Sequence, residues 1–275
     1  MTPRFPARLH VLLAADAKVG VVWRRGPSKQ VACVLWDRAK DTFELGQWLK
    51  GRVYERRSDL SPDGRHLVYF AMDGKWQGEM KGSWTAVSRA PYLKALAIYR
   101  KGDCWHGGGL WTGDRSYWIN DGYGHEEVRT AQRLSRDRAW HPSLYWGGED
   151  TGVYYPRLQR DGWRYIGHRN IGPMNSISTF EKPAPRGWTL RKIAHEEVSD
   201  KPGKGCYWDE HELARGDVVL KRPDWEWADL DGSKLAWAEK GCLYRAGIDA
   251  KEGHGPPTLL HDFNGMQFER RRAPY

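Results

Sequence analysis

One local pattern returns five times along this chain: an aspartate, usually followed by glycine or another turn-tolerant residue, then a short run of aromatic and branched residues. The clearest copy is Leu60-Ser61-Pro62-Asp63-Gly64-Arg65-His66-Leu67-Val68-Tyr69-Phe70, and its best partner runs from Trp227 through Asp231-Gly232 to Ala238. A third copy spans Arg157 to Ile166 around Asp161-Gly162. Weaker ones centre on Asp114, ahead of Tyr117-Trp118-Ile119, and on Asp16, ahead of Val19 to Trp23. Asp-Gly closes a tight turn because the Asp side chain bonds nearby backbone and Gly accepts positive φ. Each copy therefore predicts a strand leading in and a partner strand returning.

The aspartates at 16, 63, 114, 161 and 231 are 47, 51, 47 and 70 residues apart. The first three intervals suit a four-stranded sheet with its loops, the period of a propeller blade. The last is long enough to hold an insertion or a sixth, degenerate copy. The expectation is an all-β chain folded as one domain over residues 1–275, a β-propeller of about five four-stranded blades. Strand candidates fill the intervals: Val19 to Trp23, Val31 to Trp36 and Thr42 to Leu49, then Trp84 to Ser88 and Leu93 to Tyr99. Later come Trp188 to Ala194, Cys206 to Leu213, Cys242 to Ala246 and Thr258 to Phe263. The polar stretch Glu126 to Arg138 reads as a loop or a helical insertion. Phe268-Glu269-Arg270-Arg271 echoes Tyr54-Glu55-Arg56-Arg57. Either the echo is coincidence or the C-terminal residues lead back into the first blade, as circular repeats need to hide their edges.

With its Ser-Pro-Asp-Gly turn, a basic residue after it and an apolar strand following, the segment from Ser61 to Phe70 resembles the WD40-like and TolB-like propeller repeats. Trp-Asp also occurs at Trp36-Asp37 and Trp208-Asp209, and Gly-His at positions 124, 167 and 253, though not at one fixed place in each repeat. The resemblance implies blades that present a face or central mouth to a ligand.

Composition agrees with strands. Sixteen Trp and 13 Tyr stand beside 31 Gly and only 6 Phe, and aromatics favour strands while Gly favours the turns between them. Lys and Arg outnumber Asp and Glu by 44 to 35, a net charge of +9 that would suit an anionic partner. The basic residues are scattered, however. The short runs Arg24-Arg25, Arg56-Arg57 and Arg270 to Arg272 read as solvated strand edges. Four widely spaced cysteines, Cys33, Cys104, Cys206 and Cys242, form no C-x-x-C pair, and a chain of this length needs no staples. Reduced thiols and a cytoplasmic location follow. The apolar stretch Leu9 to Ala15 faintly imitates a signal peptide but falls within the first repeat, and nothing reaches the length of a membrane span.

Two acidic and aromatic clusters stand out, Tyr207-Trp208-Asp209-Glu210-His211-Glu212 and Asp224-Trp225-Glu226-Trp227-Ala228-Asp229. Paired carboxylates beside Trp platforms could serve a glycoside hydrolase. Strand alternation, by contrast, puts Asp209 with His211 on one face and Trp225 with Trp227 on one face, as half-buried strands require. Asp209 and His211 could share a metal, but no H-x-x-x-H or H-E-x-x-H spacing supports one. Trp105-His106-Gly107-Gly108-Gly109 carries no phosphate-loop pattern; its glycines suit a strand start where bulky side chains would collide. No G-x-S-x-G stretch is present. No catalytic residue, cofactor or metal is therefore assigned, and the candidate binding residues are Trp105, His106, Trp208, Asp209, His211, Trp225 and Glu226. The leading expectation is a binding or scaffold protein holding another protein on a propeller face. The alternatives are a carbohydrate-binding or glycoside-hydrolysing propeller and nucleic-acid binding through the positive charge, with the oligomeric state left open.

Overall fold

Turn chemistry and strand alternation together build an all-β chain, with five sheets and one α-helix among the described residues. The computed structural model describes residues 5–26, 29–198 and 205–275. These divide into two compact units, one of residues 10–161 with 267–275, the other of Gly162–Met266 with residues 5–9.

In the first unit, Arg8 and Leu9 at the start of β1 apart, strands β1 (Arg8–Leu13), β2 (Val19–Arg25), β3 (Gln30–Asp37) and β4 (Thr42–Lys50) follow one another as neighbours in a four-stranded sheet. A second sheet is laid down in the same way by β5 (Arg52–Leu60), β6 (His66–Met72), β7 (Ser83–Arg89) and β8 (Ala95–Arg100). The third sheet contains β9 (Gly109–Trp111) and β10 (Ser116–Ile119). The segment expected to be a loop or helical insertion instead supplies two edge strands. One is β11 (Glu126–Arg129), antiparallel to β8, and the other is β12 (Ser135–Arg136), parallel to β10. Its polarity is that of exposed edges, since all four residues of β11 face solvent.

Strand β6 shows how the unit coheres. Leu67, Tyr69 and Ala71 project into a core shared with Val21, Trp23 and Cys33 of the first sheet. Val68 projects the other way, into a core with Trp111, Tyr117 and Ile119 of the third. A strand buried on both faces reads as a continuous apolar run, which is what Leu67 to Ala71 is. Eleven of the sixteen tryptophans are buried, among them Trp23 and Trp111 in these cores, so the surplus noted in the sequence serves mainly interior packing.

Four of the five aspartate turns join the first two strands of a sheet. Asp16 lies between β1 and β2, Asp63 between β5 and β6, and Asp114 between β9 and β10. Asp231 closes β18 (Trp227–Asp231) onto β19 (Lys234–Glu239). The Asp63 turn shows the mechanism. Its carboxylate accepts from the Arg65 N–H at 3.0 Å and from the Ser61 hydroxyl at 2.6 Å, while Gly64 takes φ of +74°. A Cβ on Gly64 would lie 2.9 Å from the Val19 side chain, so glycine is required by space as well as by φ.

Asp161-Gly162 departs from the expectation. No strand leads into it; the helix α1 (Thr151–Arg160) does, and Asp161 is its C-cap before Gly162 at φ +87°. The helix is fixed to β5, where the ladder with β6 is broken between Tyr54 and Asp59. That bulge leaves backbone carbonyls without ladder partners. Arg157 donates to the Ser58 carbonyl and, at 2.7 Å, to His10 Nε2. Arg160 clasps the buried Asp59 carboxylate, which also accepts from the Trp111 N–H at 2.7 Å. Arg57 joins Asp150, just before the helix, at 2.7 Å. Arg24, Arg56 and Arg57 are therefore interior residues, not the solvated edges their pairing in sequence suggested.

In the second unit, β13 (Arg164–Gly172), β14 (Asn175–Pro183), β15 (Thr189–Glu197), β16 (Tyr207–Arg215) and β17 (Val218–Arg222) form one antiparallel sheet. This sheet accounts for the 70-residue interval: four of its strands are nine residues long, and neither an insertion nor a sixth copy is needed. The last sheet comprises β18, β19, β20 (Cys242–Gly247) and β21 (Thr258–Asp262). The C-terminal residues do return to the first sheet, through side chains. Gln47 donates to the Arg271 carbonyl, Arg271 to the Leu45 carbonyl, and Phe268 packs on Trp48. The echo of Tyr54 to Arg57 is not structural, since Arg57 is buried and Arg271 exposed.

Two outcomes follow. Asp59→Ala leaves the buried Trp111 N–H without its acceptor and takes the partner from the partly exposed Arg160, costing about 1–3 kcal/mol in chemical denaturation; a loss under about 0.5 kcal/mol would mean the clasp is not a stabilising contact. His125, held between the Thr85 hydroxyl and the Asp121 carbonyl, is pushed down by burial from 6.5 to about 4. The unfolded chain then takes up a proton that the folded chain refuses. Stability is full above pH 6.5 and falls by up to about 3 kcal/mol as pH drops to about 4, a fall that His125→Gln should flatten in pH-resolved melts.

Candidate functional site

The residues singled out in the two acidic and aromatic clusters come together as interior packing of the second unit. Lys192 on β15 is buried, and its ammonium donates to His211 Nε2 at 2.7 Å and lies 3.7 Å from Asp209. The opposite ring nitrogen of His211 donates to the Trp225 carbonyl at 2.8 Å. A cation thus stands between Asp209 and His211 where a shared metal would have to sit. Trp208 stacks on His195 with centroids 3.6 Å apart. Trp225 stacks on Trp237, and it precedes strand β18 instead of alternating within it. Glu226 accepts from the Leu9 N–H at 3.0 Å. The carboxylates weighed for sugar cleavage each go to a different partner: Asp209 to Lys192, Glu210 to His195, Asp224 to Lys240 and Glu226 to Leu9.

Trp105 and His106 lie in the first unit. Trp105 is half exposed, and His106 takes φ of +59° with its carbonyl accepting from Arg57 at 2.7 Å. The glycine run after them is needed for the reason the sequence suggested. A Cβ on Gly108 would fall 1.9 Å from the Arg57 carbonyl oxygen, and one on Gly109 would fall 2.0 Å from that of Trp118.

A broad cleft of about 1250 Å³ opens elsewhere on the first unit, bounded by the Asp63 turn, the Asp114 turn, the end of β7 and the segment after β11. Six cationic side chains line it: Arg65, Arg89, Lys94, Arg115, Arg129 and Arg133. Asp63 and Asp114 are the acidic residues in the same wall. Asp63 lies 3.7 Å from Arg65, whereas Arg89, Arg115, Arg129 and Arg133 pair with no side-chain carboxylate among the described residues. His66 in the same wall has its pKa lowered from 6.5 by burial, which Asp63 opposes and Arg89, Arg65 and Arg115 reinforce. Its imidazole is therefore neutral at pH 7, and the cleft's charge is carried by guanidinium and ammonium groups.

Apolar side chains, among them Val19, Leu35, Leu96 and Leu134, share the lining with these cations. Tyr275 shows what such a wall accommodates. Its ring lies 4.7 Å from the Arg89 guanidinium and 5.3 Å from the Lys94 ammonium, and its hydroxyl donates to the Lys94 carbonyl at 2.7 Å. Sequence reasoning passed over this site because its arginines lie on separate turns. The available signal was positional: a basic residue follows the turn in both Asp63-Gly64-Arg65 and Asp114-Arg115.

Among the described residues no helix is long and apolar enough to cross a membrane. No protein-family model matches the chain. No curated protein matches it. Among solved structures it is similar to hydrazine synthase of Kuenenia stuttgartiensis at 10% identity, over 90% of this chain and 79% of that one, with a TM-score of 0.32, a likeness too slight to carry an argument.

Proposed function

We propose that this chain is a binding protein without catalytic activity, and that its ligand is an acidic segment of another protein held in the basic cleft of the first unit. The observation that carries this reading is the set of arginines without carboxylate partners in a cleft that apolar side chains also line. Folding gains nothing from gathering like charges, which repel and are desolvated together, so their convergence calls for an anionic ligand. The apolar part of the lining favours a polypeptide, whose apolar side chains can pack there while its carboxylates meet the arginines. A nucleic acid would call for stacking platforms, and the aromatic ring in the cleft is that of Tyr275.

The same proposal takes the five sheets as blades of a propeller-like repeat. Support comes from the sequential order of strands within sheets and from β6, which serves two cores at once. A cytoplasmic setting belongs to this reading as well, since Cys33, Cys104, Cys206 and Cys242 are all free thiols.

The test is fluorescence anisotropy with a labelled peptide of alternating Glu and Leu, run beside a single-stranded oligonucleotide of equal charge. The peptide should bind, and Arg115→Glu with Arg133→Glu should weaken it by about a hundredfold, roughly tenfold per reversed charge. Tighter binding of the oligonucleotide at matched salt would replace this reading with a nucleic-acid one, and an unchanged peptide affinity in the double variant would remove the cleft from consideration.

A further inference from the structure

We infer that a second cleft in the first unit, separate from the basic one, binds the ring of a neutral carbohydrate. It encloses about 430 Å³ beyond the end of β10, between Trp118, the residues after β12 and the start of α1. One wall is the irregular segment between Arg136 and Thr151, a long stretch without regular structure of the kind that commonly carries a binding function.

Its aromatic rings are held in place. Trp118 meets Trp140 edge to face at 5.2 Å, and Trp146 meets Tyr155 in the same manner at 5.3 Å. Tyr145 stands at the rim, 77% exposed, with its hydroxyl 3.5 Å from His106 Nε2. The wall behind is glycine by necessity. A Cβ on Gly152 would fall 2.1 Å from the Gly147 carbonyl oxygen and 2.5 Å from Asn120 Nδ2. These contacts fix Trp118, 8% exposed, and Trp146 in the lining, and leave the ring of Tyr145 as the exposed aromatic surface at the rim.

The polar lining differs in kind from that of the basic cleft. Asp121 is paired with Arg136. Asp137 accepts from the Trp140 N–H at 2.9 Å and the Ala139 N–H at 3.1 Å, and those bonds with the Thr112 hydroxyl hold its carboxyl below the usual range. Two carboxylates and two guanidinium groups, those of Arg136 and Arg138, thus line the cleft, and their formal charges balance. A balanced pocket gives a charged ligand no advantage. What it offers is planar donors and acceptors, Asn120, Asp121 and Asp137 among them, at the edge of aromatic faces. A sugar ring matches that arrangement, because its C–H face stacks on an aromatic ring while its hydroxyls, each both donor and acceptor, radiate in the plane. The carboxylates expected from the sequence to serve a sugar, Asp209 and Glu226, belong to the second unit and take no part here.

The test uses neutral hexasaccharides of glucose, xylose, mannose and N-acetylglucosamine, titrated to about 10 mM against the indole N–H resonances of the intact protein. At least one should shift Trp118 and Trp146 while leaving the buried Trp36 unmoved. Tyr145→Ala, at an exposed position that folding does not need, should weaken that sugar about tenfold, and Arg138→Ala should weaken it as well. Arg115→Glu with Arg133→Glu should leave it unchanged, which separates this site from the basic cleft. The inference is overturned if no hexasaccharide moves the two indoles, if Tyr145→Ala and Arg138→Ala both bind as the parent does, or if adenosine or guanosine monophosphate shifts them where every sugar fails.

Discussion

A strand that buries both of its faces constrains this protein more than any other single feature. In β6, alternate residues serve two different cores, so the second sheet cannot form on its own without exposing apolar surface. Each sheet of the first unit completes its neighbour. Such packing leaves only turns and edges for solvent, and the chain places its polar residues there. The aspartate turns are the hinges of this scheme, because a two-faced strand must enter and leave its sheet within a few residues.

Charge inside the protein is organised around the same limits. Where the β5 ladder is broken, backbone carbonyls lose their partners, and Arg157 reaches from the helix to supply donors. Asp59, Arg57 and Asp150 complete the arrangement, so that the buried cations there face acceptors. The second unit solves a related problem with Lys192, set between His211, Asp209 and the face of Trp163. These networks answer a structural need, since a charge withdrawn from water must find a partner or destabilise the fold. The basic cleft stands apart, as Arg89, Arg115, Arg129 and Arg133 converge there with no side-chain carboxylate paired to them among the described residues.

Several features were legible from residue order. The turn at Asp63-Gly64 follows from local bonding and φ, the turns at Asp231 and Asp114 lie where the repeated pattern puts them, and the strands from Val19 to Lys50 follow from their aromatic and branched residues. The glycine run at 107–109 was rightly tied to crowding. The helix α1 was missed because its sequence, Thr-Gly-Val-Tyr-Tyr-Pro-Arg-Leu-Gln-Arg, carries glycine, a proline and two tyrosines that disfavour an isolated helix. Contacts of Arg157 and Arg160 with β5 override that preference. The candidate residues of the acidic clusters were read as a unit from proximity in sequence, and Asp209, His211 and Trp225 do meet, but through Lys192 and a carbonyl that no local pattern announces.

By itself, the sequence determined that this chain is built of short strands joined by tight turns, because turn formation and alternation depend on neighbours a few residues apart. The tertiary structure alone decided which arginines are buried and which gather in a cleft. Arg57 and Arg65 are a few positions apart in an ordinary-looking stretch, yet one is sealed against Asp150 and the other faces solvent beside Arg89 and Arg115. Their fates differ because burial and electrostatic surroundings are set by residues distant in sequence, brought together only when the sheets pack.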